Sequence, residues 1–270
     1  GMETMKHYKG AQLYTVRGLH GSPEGLDRVL GKIKAIGYDA VNGWLMYPEM
    51  DYPMYKEMLD RHGLKECSVS GGEVGDIING SCDQIVKNAR LMDVKAVEIG
   101  PIPLNLKYTE KGFRYFAQQM NEAGRKVYEA DGLYVNYHSH AQEFASFGGI
   151  HGMDIFFEET DPRYVHFMLD THWIVSGGCD PAKWIRKAGQ RAGIVHLKDY
   201  RIVPGANQMV IENVVKDFAE VGQGNIDGPE VIAACQDVGV QYYIVEQDLC
   251  PGDPLDSLKI SFDKMLELGL

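Results

Sequence analysis

Val165-His166-Phe167-Met168-Leu169-Asp170-Thr171-His172, then Asp180 to Gln190, then Ile194-Val195-His196-Leu197-Lys198-Asp199-Tyr200 read as strand, helix, strand. Both outer runs are short, apolar and β-branched, and both turn polar at their C-terminal ends. The middle stretch opens on Asp180-Pro181, a cap residue followed by proline at the first helical position. Two apolar runs joined by a helix form a parallel pair with a right-handed crossover. The same alternation extends in both directions. Upstream strand candidates are 11–16, 39–44, 65–70, 96–100 and 133–140, and downstream lies 241–248. Helical stretches fall at about 22–36, 53–62, 81–92, 109–130, 152–160, 180–190, 224–238 and 253–268. Ser22-Pro23 opens another helix, and Gly37, Gly63 and Gly239 each stand just before a strand, as helix-ending glycines do. Eight strand–helix units predict an α/β fold closed as a (β/α)₈ TIM barrel, a single domain over 1–270. The alternative is a doubly wound open sheet, but no GxGxxG turn follows the first strand.

In such a barrel the chemistry lies at the C-terminal strand ends, and strand residues alternate faces. The fifth strand places Asn136, His138 and His140 on one face, with Glu143 in the following loop. The sixth places Met168, Asp170 and His172 together, the seventh His196 and Lys198, and the eighth Ile244, Glu246 and Asp248. One histidine or aspartate at a strand end is ordinarily a hydrogen-bonded structural residue. Asp170, His196 and Glu246 on neighbouring strands are a different matter, because buried carboxylates need partners or a metal. A mixed imidazole–carboxylate set suits Mn²⁺, Zn²⁺, Fe²⁺ or Co²⁺. Glu98 reads as structural. Gly222-Gln223-Gly224 has the look of a phosphate cradle at a helix start, which a plain turn explains equally well. Trp44, Trp173 and Trp184 read as packing, although Trp44 and Trp173 fall near strand ends where a sugar face stacks.

Composition narrows the partners. The chain has 270 residues with 27 Lys plus Arg against 38 Asp plus Glu, a formal charge of −11. A field of that sign repels nucleic acid and acidic membrane and favours a neutral substrate or a cation. No apolar run reaches the roughly 20 residues that span a bilayer. The start, Gly1-Met2-Glu3-Thr4-Met5-Lys6, has no apolar core of a signal peptide, and the leading glycine reads as a cloning remnant. Five cysteines without a CxxC pair point to reduced thiols and a cytoplasmic protein, with a homo-oligomer possible.

Several motifs resemble the sugar phosphate isomerase/epimerase family, whose xylose isomerase-like barrel is shared by inosose dehydratases, ketose 3-epimerases and endonuclease IV. They are Gly10-Ala11-Gln12-Leu13-Tyr14-Thr15-Val16-Arg17, Tyr137-His138-Ser139-His140-Ala141-Gln142-Glu143-Phe144, Leu169-Asp170-Thr171 and Val195-His196-Leu197-Lys198-Asp199. The C-terminal matches are Gly222 to Asp227, Ile244 to Asp248 and Asp253 to Ser261. The resemblance runs from about residue 10 to the C-terminus and is specific for the superfamily rather than for one reaction. It implies a Glu–Asp–His–Glu set around one divalent metal ion (Mn, Zn, Mg, Fe or Co), carried here by Asp170, His196 and Glu246. At the first Glu position this chain has His138, with Glu143 five residues on, so the two compete as fourth ligand. Many relatives also have Glu where this chain has Asn42; if that Glu is a general base, this chain lacks it.

The resemblance implies a metal-dependent isomerase or epimerase of a sugar or keto-sugar that removes a proton next to a carbonyl. Glu246 is then ligand and base, Glu143 and His138 compete for the fourth ligand position or the opposite acid/base role, and His172 and Lys198 meet substrate hydroxyls or the developing oxyanion. Tyr14, Arg17, His140 and Trp173 are the expected substrate contacts. Two alternatives stand beside this reading: a lyase of the same fold acting on an inosose or 3-keto-glycoside, and a sugar-binding barrel without turnover. The charge disfavours the endonuclease reading, and the lack of a convincing phosphate site favours an unphosphorylated substrate.

Overall fold

A computed structural model describes residues 6–205 and 214–270. Gly1–Met5, which carry the leading glycine and most of the N-terminal segment read above, lie outside the described residues. The barrel strands are β1 Tyr8–Gln12, β2 Ala40–Asn42, β3 in two halves, Lys65–Glu66 and Val69–Gly72, and β4 Ala96–Ile99. They continue as β5 Tyr134–His138, β6 Val165–Asp170, β7 Ile194–Leu197 and β8 Tyr242–Val245. All neighbours pair in parallel, and β1 lies against β8 in the register Tyr8↔Tyr242 to Ala11↔Val245. The two ends of the sheet are the two halves of β3: Lys65–Glu66 pairs with β2, and Val69–Gly72 with β4. The strand order therefore runs full circle, and the open sheet is excluded.

Eight principal helices cover the outside: α1 Pro23–Ile36, α2 Tyr52–His62, α3 Cys82–Met92, α4 Glu110–Asp131, α5 Gly152–Glu159, α6 Pro181–Ala188, α7 Gly228–Val238 and α8 Pro254–Glu267. Ser22 and Asp180 cap α1 and α6 by accepting the Gly25 and Lys183 N–H groups, each cap contributing about 1 kcal/mol.

All the strands but β3 end earlier than the sequence pattern predicts, and at β1 and β6 side chains at the strand ends are the reason. The Gln12 side chain accepts the Tyr14 N–H and turns residues 13–16 into a 3-10 turn. Asp170 accepts the Trp173 N–H and starts the short helix Thr171–Ser176, so His172 leaves the face it would occupy on a continued strand. β7 stops at Leu197; Asp199–Pro204 then pairs antiparallel with Val214–Ala219. The helix read from 224 begins at Gly228.

Alternation does the rest. Ala40, Cys67, Ala96, Met168, Ile194, Tyr242 and Ile244 fill the barrel, with Tyr8 and Tyr134 packed against them. A larger cluster, including Val41, Val97, Val135, Phe167, Val195 and Tyr243, lies in the other core, which the helices share. Two residues after Ala40, Ala96, Tyr134, Met168, Ile194 and Ile244, toward the C-terminal mouth, stand Asn42, Glu98, Asn136, Asp170, His196 and Glu246. An apolar plug thus carries a polar layer directly above it. Gly10 leaves room for the plug: a methyl group there would overlap Ile244 and crowd the Ala40 backbone. No helix among the described residues is long and apolar enough to cross a membrane.

Candidate metal centre

His138 at the end of β5, Asp170 ending β6, His196 on β7 and Glu246 just beyond β8 each offer one ligand atom, and these atoms lie within 4.8 Å of one another. Asp170, His196 and Glu246 are buried, and His138 is nearly so. The His138 Nε2, Asp170 Oδ2 and His196 Nδ1 atoms have no hydrogen-bond partner. His138 Nε2 is 3.9 Å and His196 Nδ1 4.0 Å from Asp170 Oδ2, and His196 Nδ1 is 3.6 Å from Glu246 Oε1. A buried polar atom without a partner costs about 1–3 kcal/mol. Three such atoms turned toward one point, beside a fourth donor, are the arrangement a cation satisfies.

Local hydrogen bonds aim them. Asp170 spends Oδ1 on the Trp173 N–H and keeps Oδ2 free. The His196 Nε2–H donates to Asn42 Oδ1 at 2.9 Å, leaving Nδ1 to face the cluster. The Thr171 hydroxyl bridges to the Lys198 backbone, accepting its N–H at 3.0 Å and donating to its carbonyl at 2.8 Å, and so locks the ends of β6 and β7 together.

Lys198 is buried among the carboxylates. Its Nζ lies 2.8 Å from Glu246 Oε1, 3.0 Å from Asp248 Oδ1 and 3.6 Å from Asp170 Oδ2. Burial lowers its pKa, but these three carboxylates outweigh that and hold it above the ordinary lysine value. Burial likewise raises Asp170 and Glu246, and the neighbouring Lys198 and His138 bring both below the ordinary carboxylate range. Burial lowers His138, while Asp170, Glu98 and Glu246 lift it to about 9. Three carboxylates against the Lys198 ammonium and a protonated His138 still leave an excess of negative charge, which favours a cation. The donor set is hard oxygen plus imidazole, suited to the first-row divalent ions.

Glu143 is buried but lies outside the group of four; its Oε2 accepts the His140 N–H at 3.2 Å, and burial raises its pKa. Its other oxygen, Oε1, is buried without a hydrogen-bond partner. The His140 ring lies 4.8 Å from His138 and 5.9 Å from Trp173, and burial with His138 nearby lowers its pKa to about 4. His172 packs instead on Trp173, Tyr200 and Phe218, and burial lowers it to about 4. The Lys198 ammonium sits 4.9 Å from the centre of the Trp173 ring. Tyr14 and Arg17 lie beyond the strand: the Arg17 guanidinium stacks on Tyr14 at 3.9 Å and bonds the Tyr14 and Asp248 carbonyls. Trp184 is core, whereas Trp44 is exposed, 6.4 Å from the Tyr14 ring.

Beside His138 opens a cleft of about 320 Å³ whose lining includes Trp44, Glu73, Glu98, His138 and His140. Glu98, read as structural, faces this cleft. The Gly222-Gln223-Gly224 turn is not a free cradle: the Gly222, Gly224 and Ile226 N–H groups all donate to the Asp199 carboxylate. A methyl group on Gly224 would overlap the Tyr200 carbonyl and Asp199, so the glycine serves this close approach.

Sequence reasoning missed Glu66 and Ser68. Glu66 is buried behind Asn42, accepting from Tyr55, Gly43 and Asn42, and burial pushes it up to about 8. Its only sequence signal is a glutamate inside an apolar strand. Asn42 is buried among these side chains and does not line the cleft.

Fold and site together define a closed parallel barrel with a buried cation-ready cluster at its C-terminal mouth. The chain belongs to the xylose isomerase-like TIM barrel family, whose model matches residues 30–259. It is similar to an inosose dehydratase of Geobacillus thermodenitrificans, 28% identical over 214 residues covering 76% of this chain and 65% of that protein. An inosose dehydratase of Clostridium tetani is 28% identical over 158 residues, 55% of this chain and 52% of that protein. The matches thus span about half to two thirds of the length of these curated relatives. Among solved structures, a sugar phosphate isomerase/epimerase of Parabacteroides distasonis superposes with a TM-score of 0.77 at 18% identity, over 98% of this chain and 94% of that one.

Proposed function

We propose that this chain is a divalent-metal-dependent isomerase or epimerase that removes a carbon-bound proton next to the carbonyl of a keto-sugar or related keto-polyol. The carrying observation is the convergence of the unpartnered His138 Nε2, Asp170 Oδ2 and His196 Nδ1 beside Glu246. In this reading these four residues hold the ion, and Glu143 supports His140 rather than ligating. Such an ion, when bound, polarises a carbonyl and stabilises negative charge on its oxygen. Glu246 takes the proton, and Lys198 keeps its carboxylate charged and oriented. The cleft beside His138 takes the rest of the substrate. Its lining has Glu73 and Glu98 but neither lysine nor arginine, which favours hydroxyl donors over phosphate esters. Trp44, flanked by Tyr14, offers an apolar face for the C–H side of a sugar, and His140 lines the same cleft.

The likeness to inosose dehydratases favours a second reading, in which the same proton loss is followed by expulsion of a β-hydroxyl as water. One experiment addresses both. The Mn²⁺-loaded protein is incubated in D₂O with ketoses, inososes and 3-keto-glycosides. The expected result is deuterium at a carbon next to the carbonyl of one of them. Epimerisation leaves the mass otherwise unchanged, whereas elimination removes water. Glu246→Gln is expected to slow exchange by about 10²–10⁴-fold. Exchange at the wild-type rate in that variant contradicts the role of Glu246, and its absence from the whole panel contradicts the reaction class.

A further inference from the structure

The Asn42 side chain lies between two networks whose polarity is set by backbone N–H groups. On one side, the Tyr14 N–H donates to Gln12 Oε1 at 3.1 Å, which leaves the Gln12 Nε2 to donate to Asn42 Oδ1 at 3.3 Å. On the other, the Gly43, Cys67 and Ser68 N–H groups and the Tyr55 hydroxyl all donate to the Glu66 carboxyl. Glu66 Oε1, which takes the Gly43, Cys67 and Ser68 N–H groups, therefore accepts even when Oε2 carries a proton, and the Asn42 Nδ2 donates to it and to Ser68 Oγ, both at 3.4 Å. Backbone N–H groups only donate, so neither chain depends on how an amide is drawn. Both give Asn42 the same orientation, with Oδ1 toward His196. The 2.9 Å contact to His196 Nε2 can then be satisfied only by a proton on Nε2. A neutral imidazole protonated there carries its lone pair on Nδ1, the atom that faces Asp170 and Glu246 without a partner.

We infer that Asn42 is a positioning residue: clamped by Glu66 and Gln12, it fixes the Nε2–H tautomer of His196 and aims the Nδ1 lone pair at the ion site. The inference rests on the metal reading above for its purpose, but not for its geometry. A glutamate in this place would also accept from His196, yet it would set a second carboxyl against Glu66; an amide joins the two because it accepts at one end and donates at the other. Partners that orient a ligating histidine ordinarily account for about 10–100-fold in metal affinity.

The test uses the metal-free full chain with ¹⁵N-labelled histidine, the His196 signals being assigned by their loss in His196→Ala. Wild type is expected to show His196 protonated on Nε2 and bare on Nδ1. Asn42→Leu removes the acceptor at similar volume and is expected to lose that form, with circular dichroism confirming the fold. Asn42→Asp keeps an acceptor and is expected to retain it. Calorimetric titration with Mn²⁺ should show about 10–100-fold weaker binding for Asn42→Leu and near wild-type binding for Asn42→Asp. Protonation on Nδ1 in wild type or in Asn42→Asp, or an unchanged tautomer in folded Asn42→Leu, overturns the inference. Failure of wild type to bind Mn²⁺ contradicts the metal reading alone, because the tautomer is read without metal.

Discussion

The two arcs of the barrel mouth treat their buried polar atoms in opposite ways. Across β1 to β3, Gln12, Asn42, Glu66 and Ser68 bond one another and the backbone in a connected network. Across β5 to β7, His138, Asp170 and His196 leave one atom each without a partner, and those atoms converge. The difference separates scaffold from site. A satisfied buried network holds a shape, whereas unsatisfied atoms that converge are stable only if something else completes them. The His196 ring joins the arcs, with Nε2 in the satisfied network and Nδ1 in the unsatisfied one.

The largest expected effect comes from removing that junction. In wild type, Mn²⁺ at a hundred times its dissociation constant should add about 2.7 kcal/mol of stability. His196→Ala should abolish this gain, as read by thermal unfolding with and without metal. An equal rise in the melting temperature of the variant would place the ion elsewhere.

A smaller effect probes the satisfied arc. Burial raises Glu66 to about 8, against an ordinary value of 4.5. The folded state therefore favours the protonated acid. The contribution of Glu66 to stability is full below the ordinary value and is lost as the pH rises through about 8. Glu66→Gln does not titrate, so its melting temperature should fall less than that of wild type between pH 5 and 8. Equal slopes for the two proteins would show that the carboxyl is not held up by burial.

The smallest effect is expected at Glu143. It is buried near the cluster but engaged with the His140 N–H. Glu143→Gln should leave metal stoichiometry unchanged and alter affinity by less than His196→Ala does. Loss of the ion in this variant would return Glu143 to the ligand set and displace His138.

The barrel was legible because each strand–helix unit announces itself locally, by an apolar run, a cap and a glycine stop. The meeting of Asp170, His196 and Glu246 was legible as well, since alternation of faces places each above a plug residue on its own strand. His172 was misplaced for a local reason: Asp170 caps a helix that starts at Thr171, so the strand pattern ends two residues early. The choice between His138 and Glu143 turns on a loop path that periodicity does not specify. The Asn42 network was illegible because its contacts join residues 24 and 154 positions apart, and no local pattern pairs them. The glycine turn at 222–224 misled in the same way, its anion being Asp199 at the start of the strand Asp199–Pro204.

The central claim is that the four converging atoms hold a divalent ion. Crystals of the metal-loaded protein, measured near the manganese absorption edge, test it most directly. The account predicts one anomalous peak bounded by His138 Nε2, Asp170 Oδ2, His196 Nδ1 and a Glu246 carboxylate oxygen, with Glu143 outside the coordination sphere. A saturated crystal with no peak among these atoms, or with a peak that Glu143 ligates and His138 does not, would contradict it.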